Sequence, residues 1–368
     1  LPEKYSSYKT MNRRAFLKAA GIQTAGLLLT KDLYSRALKE ETSVSYLLNK
    51  DLPLIRPGYP GSPLLDGRFL NENLEVSNKS FGTIMKWFAS RNPQKEEKAA
   101  DTFKPEIETM GRLAQIHKDC IIWLGHSTFL IHVGKRWLMT DPVLNHLPVQ
   151  ERKTPMPMSW DDLDHIDYLL ISHGHYDHLD KDTINRFISR DVTALTPLRM
   201  SGLLASMNKY VITQEAGWYQ QYTIKEDFKI SFLPAQHWYI RMPWDRNKIH
   251  WGSFLIETPR HKIFFAGDSA YAPHFKDIGE MFAPDICLMP IGAYKPSYIM
   301  KTNHMNPGEA VQAFHDLKGQ TFIPMHYGTF DLADEPPGEP IRFIRQMDKH
   351  NKIHGSVKEL KIGEVFTI

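Results

Sequence analysis

Cysteine is scarce in this chain. Only Cys120 and Cys287 occur among 368 residues, and they do not form a CxxC pair. A disulfide framework and a thiolate metal site are both excluded, so any metal chemistry falls to imidazole and carboxylate. Charge of one sign is lacking as well. The 45 Lys and Arg oppose 42 Asp and Glu, giving a formal net charge of +3, and the cations are scattered with no basic stripe or tail. That distribution gives no reason to expect a nucleic-acid partner, while the slight basic excess favours anionic substrates. With 42% hydrophobic and 24% charged residues, the chain is not of the disordered class. A long lipid-inserting segment is also missing.

The first 40 residues read as a separate unit. Arg13-Arg14-Ala15-Phe16-Leu17-Lys18 precedes a short, small-residue-rich apolar stretch from 19 to 30. That stretch falls short of the roughly 20 apolar residues of a membrane span. Paired arginines followed by Phe-Leu-Lys resemble a twin-arginine export signal, a route that carries folded, metallated proteins to the periplasm or cell envelope. Residues 41–118 are rich in Pro, Asn and charge and read as an irregular extension packed on the core. Within them Phe81, Ile84, Met85 and Phe88 have helical spacing.

Regular structure is expected from residue 119 to 368. Residues 120–131 read as a hairpin turning at Gly125-His126-Ser127-Thr128, and further strands are expected at 137–142, 166–172 and 194–197. Residues 181–190 have helical spacing. The second half repeats the pattern without repeating the sequence, with strand-like runs at 230–237, 253–257, 262–269, 286–291 and 321–326 and a helix over 307–317. Two groups of strands with helices between them predict an α/β (α+β) fold of two face-to-face sheets covered outside by helices.

The informative feature is His173-Gly174-His175-Tyr176-Asp177-His178, which follows the apolar run 168–171. Three imidazoles and a carboxylate at the mouth of a buried strand form a donor set that suits zinc and its neighbours. His173 and His175, two residues apart, can face one cation, while Asp177 and His178 on the next bend can face a second. Two divalent metal ions are therefore expected. Zinc is the first expectation, although iron and manganese accept the same donors. His237, Asp268 and His326 each follow a β-like run in the same way and join the set. Asp141, in Thr140-Asp141-Pro142, is a candidate partner for the far side of a metal-bound imidazole.

The run HxHxDH, followed by Leu179-Asp180, resembles the signature of the metallo-β-lactamase superfamily. The resemblance implies an αββα four-layer sandwich with a dinuclear site at the edge of the two sheets. It further implies that His173, His175 and His237 bind one metal, that Asp177, His178 and His326 bind the other, and that Asp268 bridges them. Gln236-His237-Trp238, Trp251-Gly252-Ser253, residues 264–268, Pro290-Ile291-Gly292-Ala293-Tyr294 and His326-Tyr327-Gly328-Thr329-Phe330 narrow it. With Gly67-Arg68-Phe69, residues 123–128 and Thr140-Asp141-Pro142, they resemble the N-acyl-phosphatidylethanolamine-hydrolysing phospholipase D family from about residue 67 to 345.

That family has a histidine beside the metals, just before a helix, which assists the phosphodiester. His304 occupies this place, and Asn303 stands where the family usually has Gln. The implied reaction is hydrolysis of an N-acylated or related glycerophospholipid to phosphatidic acid and an N-acylethanolamine by a metal-bridging hydroxide. Asp177 and Asp268 would serve at the catalytic centre, and Asp268 and His304 would act on nucleophile and phosphoryl oxygen. Asn303, Trp238, Arg241 and His126 are expected substrate contacts. Partners would be the phospholipid, transiently a membrane surface, and room is left for a homodimer. Two competing readings are a hydrolase of small soluble phosphorylated molecules, resembling the lactonase branch of the superfamily, and a metal-holding protein without catalysis.

Overall fold

Residues 120–125 are buried without alternation, which requires cover on both faces of the strand they form. A computed structural model, describing residues 44–74, 87, 90–148, 150–163, 165–187 and 192–368, supplies that cover. The export-signal-like segment and Phe81, Ile84, Met85 and Phe88 of the expected helix lie outside the described residues. Within the stretch read as irregular, β1 (Ser45–Leu47), β2 (Ser62–Leu65) and β3 (Arg68–Phe69) form a small antiparallel sheet.

Two seven-stranded sheets follow. The first contains β4 (Cys120–Gly125), β5 (Thr128–Val133), β6 (Arg136–Thr140), β7 (Tyr168–Leu170), β8 (Thr193–Pro197) and β9 (Ile212–Ala216) in that order. The second runs β10 (Gln220–Gln221), β11 (Lys229–Leu233), β12 (Ser253–Glu257), β13 (Lys262–Phe265), β14 (Ile286–Pro290), β15 (Thr321–Met325) and β16 (Ser356–Val357). The C-terminal β17 (Val365–Thr367) returns to pair with β4 at the edge of the first sheet. Each sheet starts antiparallel and turns parallel: β4 to β6 alternate and β6 to β9 run together, as β11 to β13 alternate and β13 to β16 run together.

The α-helices are α1 (Lys95–Ala100), α2 (Lys181–Asn185), α3 (Ser201–Met207), α4 (His274–Phe282), α5 (Ser297–Met300), α6 (Pro307–Asp316) and α7 (Glu339–Lys349). α2 and α3 pack together beside β9, and α6 packs on β14 in contact with α4 and α7. The result is the αββα sandwich, with one continuous apolar core drawn from both sheets. Local sequence explains the helix starts. Asp180 accepts from the backbone N–H groups of Asp182 and Thr183 to cap α2. Asn306 and Glu309 form a reciprocal capping box on α6, with Pro307 at its first position.

Candidate metal centre

Strand direction brings the donors together. β4, β6 and β7 are mutually parallel in the first sheet, and β11, β13 and β15 are mutually parallel in the second. His126 follows β4, Asp141 follows β6 and residues 173–178 follow β7. His237, Asp268 and His326 follow β11, β13 and β15. Each candidate donor thus leaves the C-terminal end of a strand, where open α/β sheets place their ligands.

Four groups of side-chain donors converge there, with the ligand atoms of each group within 4.8 Å of one another. In one, His173, His175 and His237 meet, with His173 Nε2 2.9 Å and His237 Nε2 3.3 Å from His175 Nδ1. In another, His126, Asp177, His178 and His326 meet, with Asp177 Oδ2 lying 3.1 Å, 3.4 Å and 3.6 Å from the Nε2 atoms of His126, His178 and His326. Asp268 stands between the two. Its Oδ2 is 3.2 Å from His178 Nε2 and 3.8 Å from His237 Nε2, and its Oδ1 is 3.1 Å from His326 Nε2. His304 Nδ1 is 3.7 Å from Asp268 Oδ2.

The electrostatics suit cations. Burial lowers the pKa of His175 to about 3 and of His237 to about 4, and holds His173 well below its ordinary value, so all three are neutral donors. Burial works against the charged form of His178 and His326 too. Nearby carboxylates outweigh it, lifting His326 to about 9 and His178 well above the usual range. Asp177 and Asp268, despite burial, are kept ionised chiefly by His178. Among the buried polar atoms that make no hydrogen bond are His178 Nε2, His326 Nε2 and Asp268 Oδ1, all at the centre. Orphaned buried atoms cost free energy. Imidazole and carboxylate donors aimed at one point are satisfied by a metal ion, and the site fits one.

The fit extends beyond the site to the domain that carries it. A family model described as the beta-lactamase superfamily domain matches residues 136–327. The chain belongs to the metallo-β-lactamase superfamily. It is 34% identical over 236 residues to an uncharacterised protein of Mycobacterium tuberculosis, covering 60% of this chain and 62% of that one. The chain therefore spans less than two thirds of that relative. It is 30% identical over 268 residues to N-acyl-phosphatidylethanolamine-hydrolyzing phospholipase D 1 of Caenorhabditis elegans, covering 67% of this chain and 72% of the relative. Among solved structures, Igni18, a metallo hydrolase from Ignicoccus hospitalis, superposes with a TM-score of 0.54 at 21% identity, covering 68% of this chain and 99% of that one.

In this member of the superfamily the centre is built under strain and held from behind. His126, Asp141 and His326 have left-handed φ values of 53°, 32° and 64°, conformations that persist at functional sites only when the surroundings impose them. Gly267, at φ 58°, precedes Asp268, and a Cβ there would come within 2.7 Å of the Ser172 Cβ. Asp141 is fully buried and accepts from Ser172 N, Ser172 Oγ and His178 Nδ1 at 2.7, 2.7 and 2.6 Å. Ser172 Oγ also lies 2.9 Å from His173 Nδ1. One carboxylate thus orients His178 directly and His173 through a hydroxyl. Ser172 carried no signal in the sequence beyond preceding the cluster.

The remaining expected residues are all near the centre, with roles of different kinds. His126, expected to touch substrate, is 2% exposed inside the second donor group, its ring centroid 4.0 Å from that of His326. The backbone carbonyl of Asn303 accepts from His237 Nδ1 at 2.9 Å, and the residue is buried. Trp238 sets its ring edge-on to His175 at 5.2 Å. Arg241 Nη1 donates to the carbonyls of Gly174 and Leu179 and the guanidinium lies over the Tyr176 ring, so it braces the metal loop. Asn71, which sequence reasoning missed, accepts from His237 N at 3.0 Å and from Trp251 Nε1 at 3.2 Å. Its position just past Gly67-Arg68-Phe69 was the only hint.

Proposed function

We propose that this chain is a metal-dependent phosphodiesterase that hydrolyses a glycerophospholipid in the manner of a phospholipase D. The observation that carries the reading is Asp268 standing between two donor groups with His304 at its side. His173, His175 and His237 would hold one divalent cation, and Asp177, His178 and His326 another, with Asp268 common to both. Zinc suits this nitrogen-rich set. Such ions supply Lewis-acid polarisation of a phosphoryl oxygen and an activated water at neutral pH.

The chain's own residues account for the rest. Asp268 orients the attacking water. His304, reaching the same space from the turn before α6, contacts the phosphoryl or leaving-group oxygen. The water oxygen bonds to phosphorus, the P–O bond to the alcohol breaks, and a proton passes to the departing oxygen. From N-acylated phosphatidylethanolamine this gives phosphatidic acid and an N-acylethanolamine. The similarity to the nematode phospholipase supports that substrate class. So does the loop after His237, where Met242 and Trp244 are 38% and 61% exposed and offer apolar contact to a lipid surface.

The test is turnover of N-acyl-phosphatidylethanolamine, phosphatidylethanolamine and soluble bis-p-nitrophenyl phosphate, with metal analysis of the same sample. Turnover of the lipid diester by protein holding two equivalents of metal is expected. A metal-replete preparation inert toward all three would refute the phosphodiesterase reading. Turnover confined to the soluble diester would refute the lipid substrate.

A further inference from the structure

A cavity of about 230 Å³ adjoins the metal centre on its second-group side, and His126 and His326 contribute to its wall. Those histidines are 2% and 3% exposed, whereas Lys104 and Lys153, which also line it, are exposed. The cavity lining therefore extends from buried metal donors to two exposed lysines. Its sides are apolar, from Phe103, Tyr327, Phe330 and Leu332. One wall is a strap from the N-terminal extension that is fixed in place. Asp101 accepts from Arg342 and from Gly338 N, Phe103 stacks on Tyr327, and Gly328 at φ 68° would drive a Cβ to 2.8 Å from Pro105.

Three lysines and three acids line the cavity, but they are not equally engaged. Each of its acids is already engaged: Asp101 by Arg342, Asp331 by Lys98, and Glu335 by the N–H groups of Tyr294 and Lys295 at 3.2 Å and 3.0 Å. Lys104 and Lys153 have no carboxylate partner among the described residues. Two unopposed cations at the rim of an apolar pocket beside a reaction centre favour an anion there. Size adds a second constraint. At about 230 Å³ the cavity lies below the roughly 300–1,000 Å³ of pockets that take drug-sized ligands, so it suits a compact group.

We propose that this cavity is the subsite for the polar substituent of the phosphodiester, and that it selects a compact group bearing a negative charge of its own. The inference rests on the phosphodiesterase reading and sharpens it, because a long N-acyl chain would have to lie outside the cavity whereas a short carboxylated one would fill it.

The test compares two lipids in the same detergent micelles, N-glutaryl- and N-pentanoyl-phosphatidylethanolamine, which differ by a terminal carboxylate. Wild type should turn over the glutaryl lipid with a kcat/KM roughly three- to tenfold higher, the effect of one or two weak surface ion pairs. The double variant Lys104→Glu/Lys153→Glu should lose or invert that preference, with circular dichroism and bound metal matching wild type as the control for an intact fold and centre. An unchanged preference in the variant would overturn the subsite and leave the phosphodiesterase intact. If wild type turns over neither lipid nor soluble diester, the phosphodiesterase reading fails, and calorimetry decides the subsite separately. Tighter binding of N-glutarylethanolamine to wild type than to the variant supports it, and equal binding overturns it.

Discussion

Asp141→Asn tests the support of the metal centre most sharply, because it changes one atom at a fully buried position. Asp141 Oδ2 accepts from both His178 Nδ1 and Ser172 Oγ, while Oδ1 accepts from Ser172 N. With Asn, either the amide nitrogen faces His178 or it faces the Ser172 N–H. The second arrangement sets donor against donor in a buried site, so the first is favoured. His178 Nδ1 must then accept, which moves the ring proton to Nε2. That is the atom which points at Asp177 and Asp268 and lacks a hydrogen bond. An Nε2 bearing a proton cannot ligate a metal. Loss of such a support typically costs 10- to 100-fold in metal affinity, about 1.4–2.7 kcal/mol.

The loss should be read by competition against a chromogenic chelator at pH 7.5. Far-ultraviolet circular dichroism of metal-free protein serves as the control for folding. Ser172→Ala, which removes the hydroxyl shared by Asp141 and His173 but leaves the carboxylate on His178, should weaken binding less. A folded Asp141→Asn protein with metal affinity within about twofold of wild type would refute the tautomer argument.

His175→Ala and Asp268→Ala should each drop phosphodiester turnover to background, with the bound metal falling below two equivalents; retained turnover in either would sink the dinuclear reading. His304→Ala should lower kcat by about 10²-fold or more while leaving metal content unchanged, and metal loss in this variant would make His304 a ligand. His250 offers a pH prediction away from the centre. It is buried against Phe69 and Trp218, neither ring nitrogen has a hydrogen bond, and burial holds its pKa well below 6.5. Below pH 6.5 the unfolded chain therefore binds a proton that the folded chain refuses, so this contribution to stability is present above 6.5 and lost as pH falls. The slope is up to about 1.4 kcal/mol per pH unit. His250→Phe should lose less stability than wild type in urea unfolding between pH 7.5 and 5.5, and parallel losses would refute the assignment.

The strands that hold the site were legible because they are short apolar runs ending in a histidine or an aspartate. The expected hairpin at 120–131 is β4 and β5, and the runs at 262–269 and 321–326 are β13 and β15. The helix expected over 307–317 forms from Pro307 to Asp316, its start marked by the Asn306 and Glu309 cap. Less was readable where pattern is weak. β9 is half-exposed at a sheet edge, β10 and β16 have two residues each, and β17 pairs with β4 across about two thirds of the chain. Such pairing depends on tertiary context and leaves no local period. The same holds at the site. Donor residues were visible one by one, whereas Ser172 and Asn71 act through hydrogen bonds that depend on how loops meet.

The repeated topology explains why donors so far apart in sequence share one centre. In each sheet an antiparallel pair of strands precedes a parallel run, and the donors occupy matching places. His126 leaves β4 as His237 leaves β11, and Asp141 leaves β6 as Asp268 leaves β13. Packing the two sheets face to face brings their C-terminal edges together, so the two halves contribute donors from opposite sides. The match breaks where the chemistry differs. Asp141 turns back to hold His178 and Ser172, whereas its counterpart Asp268 points forward between the two groups. Two carboxylates at equivalent strand ends thus divide the work, one fixing an imidazole and the other facing the cations. The division has a physical basis: Asp141 has three hydrogen-bond donors within 2.7 Å, whereas Asp268 Oδ1 has none. Exchanging their surroundings, by Ser172→Ala to free Asp141 of one donor, should therefore not make Asp141 a ligand, because His178 Nδ1 still holds it at 2.6 Å.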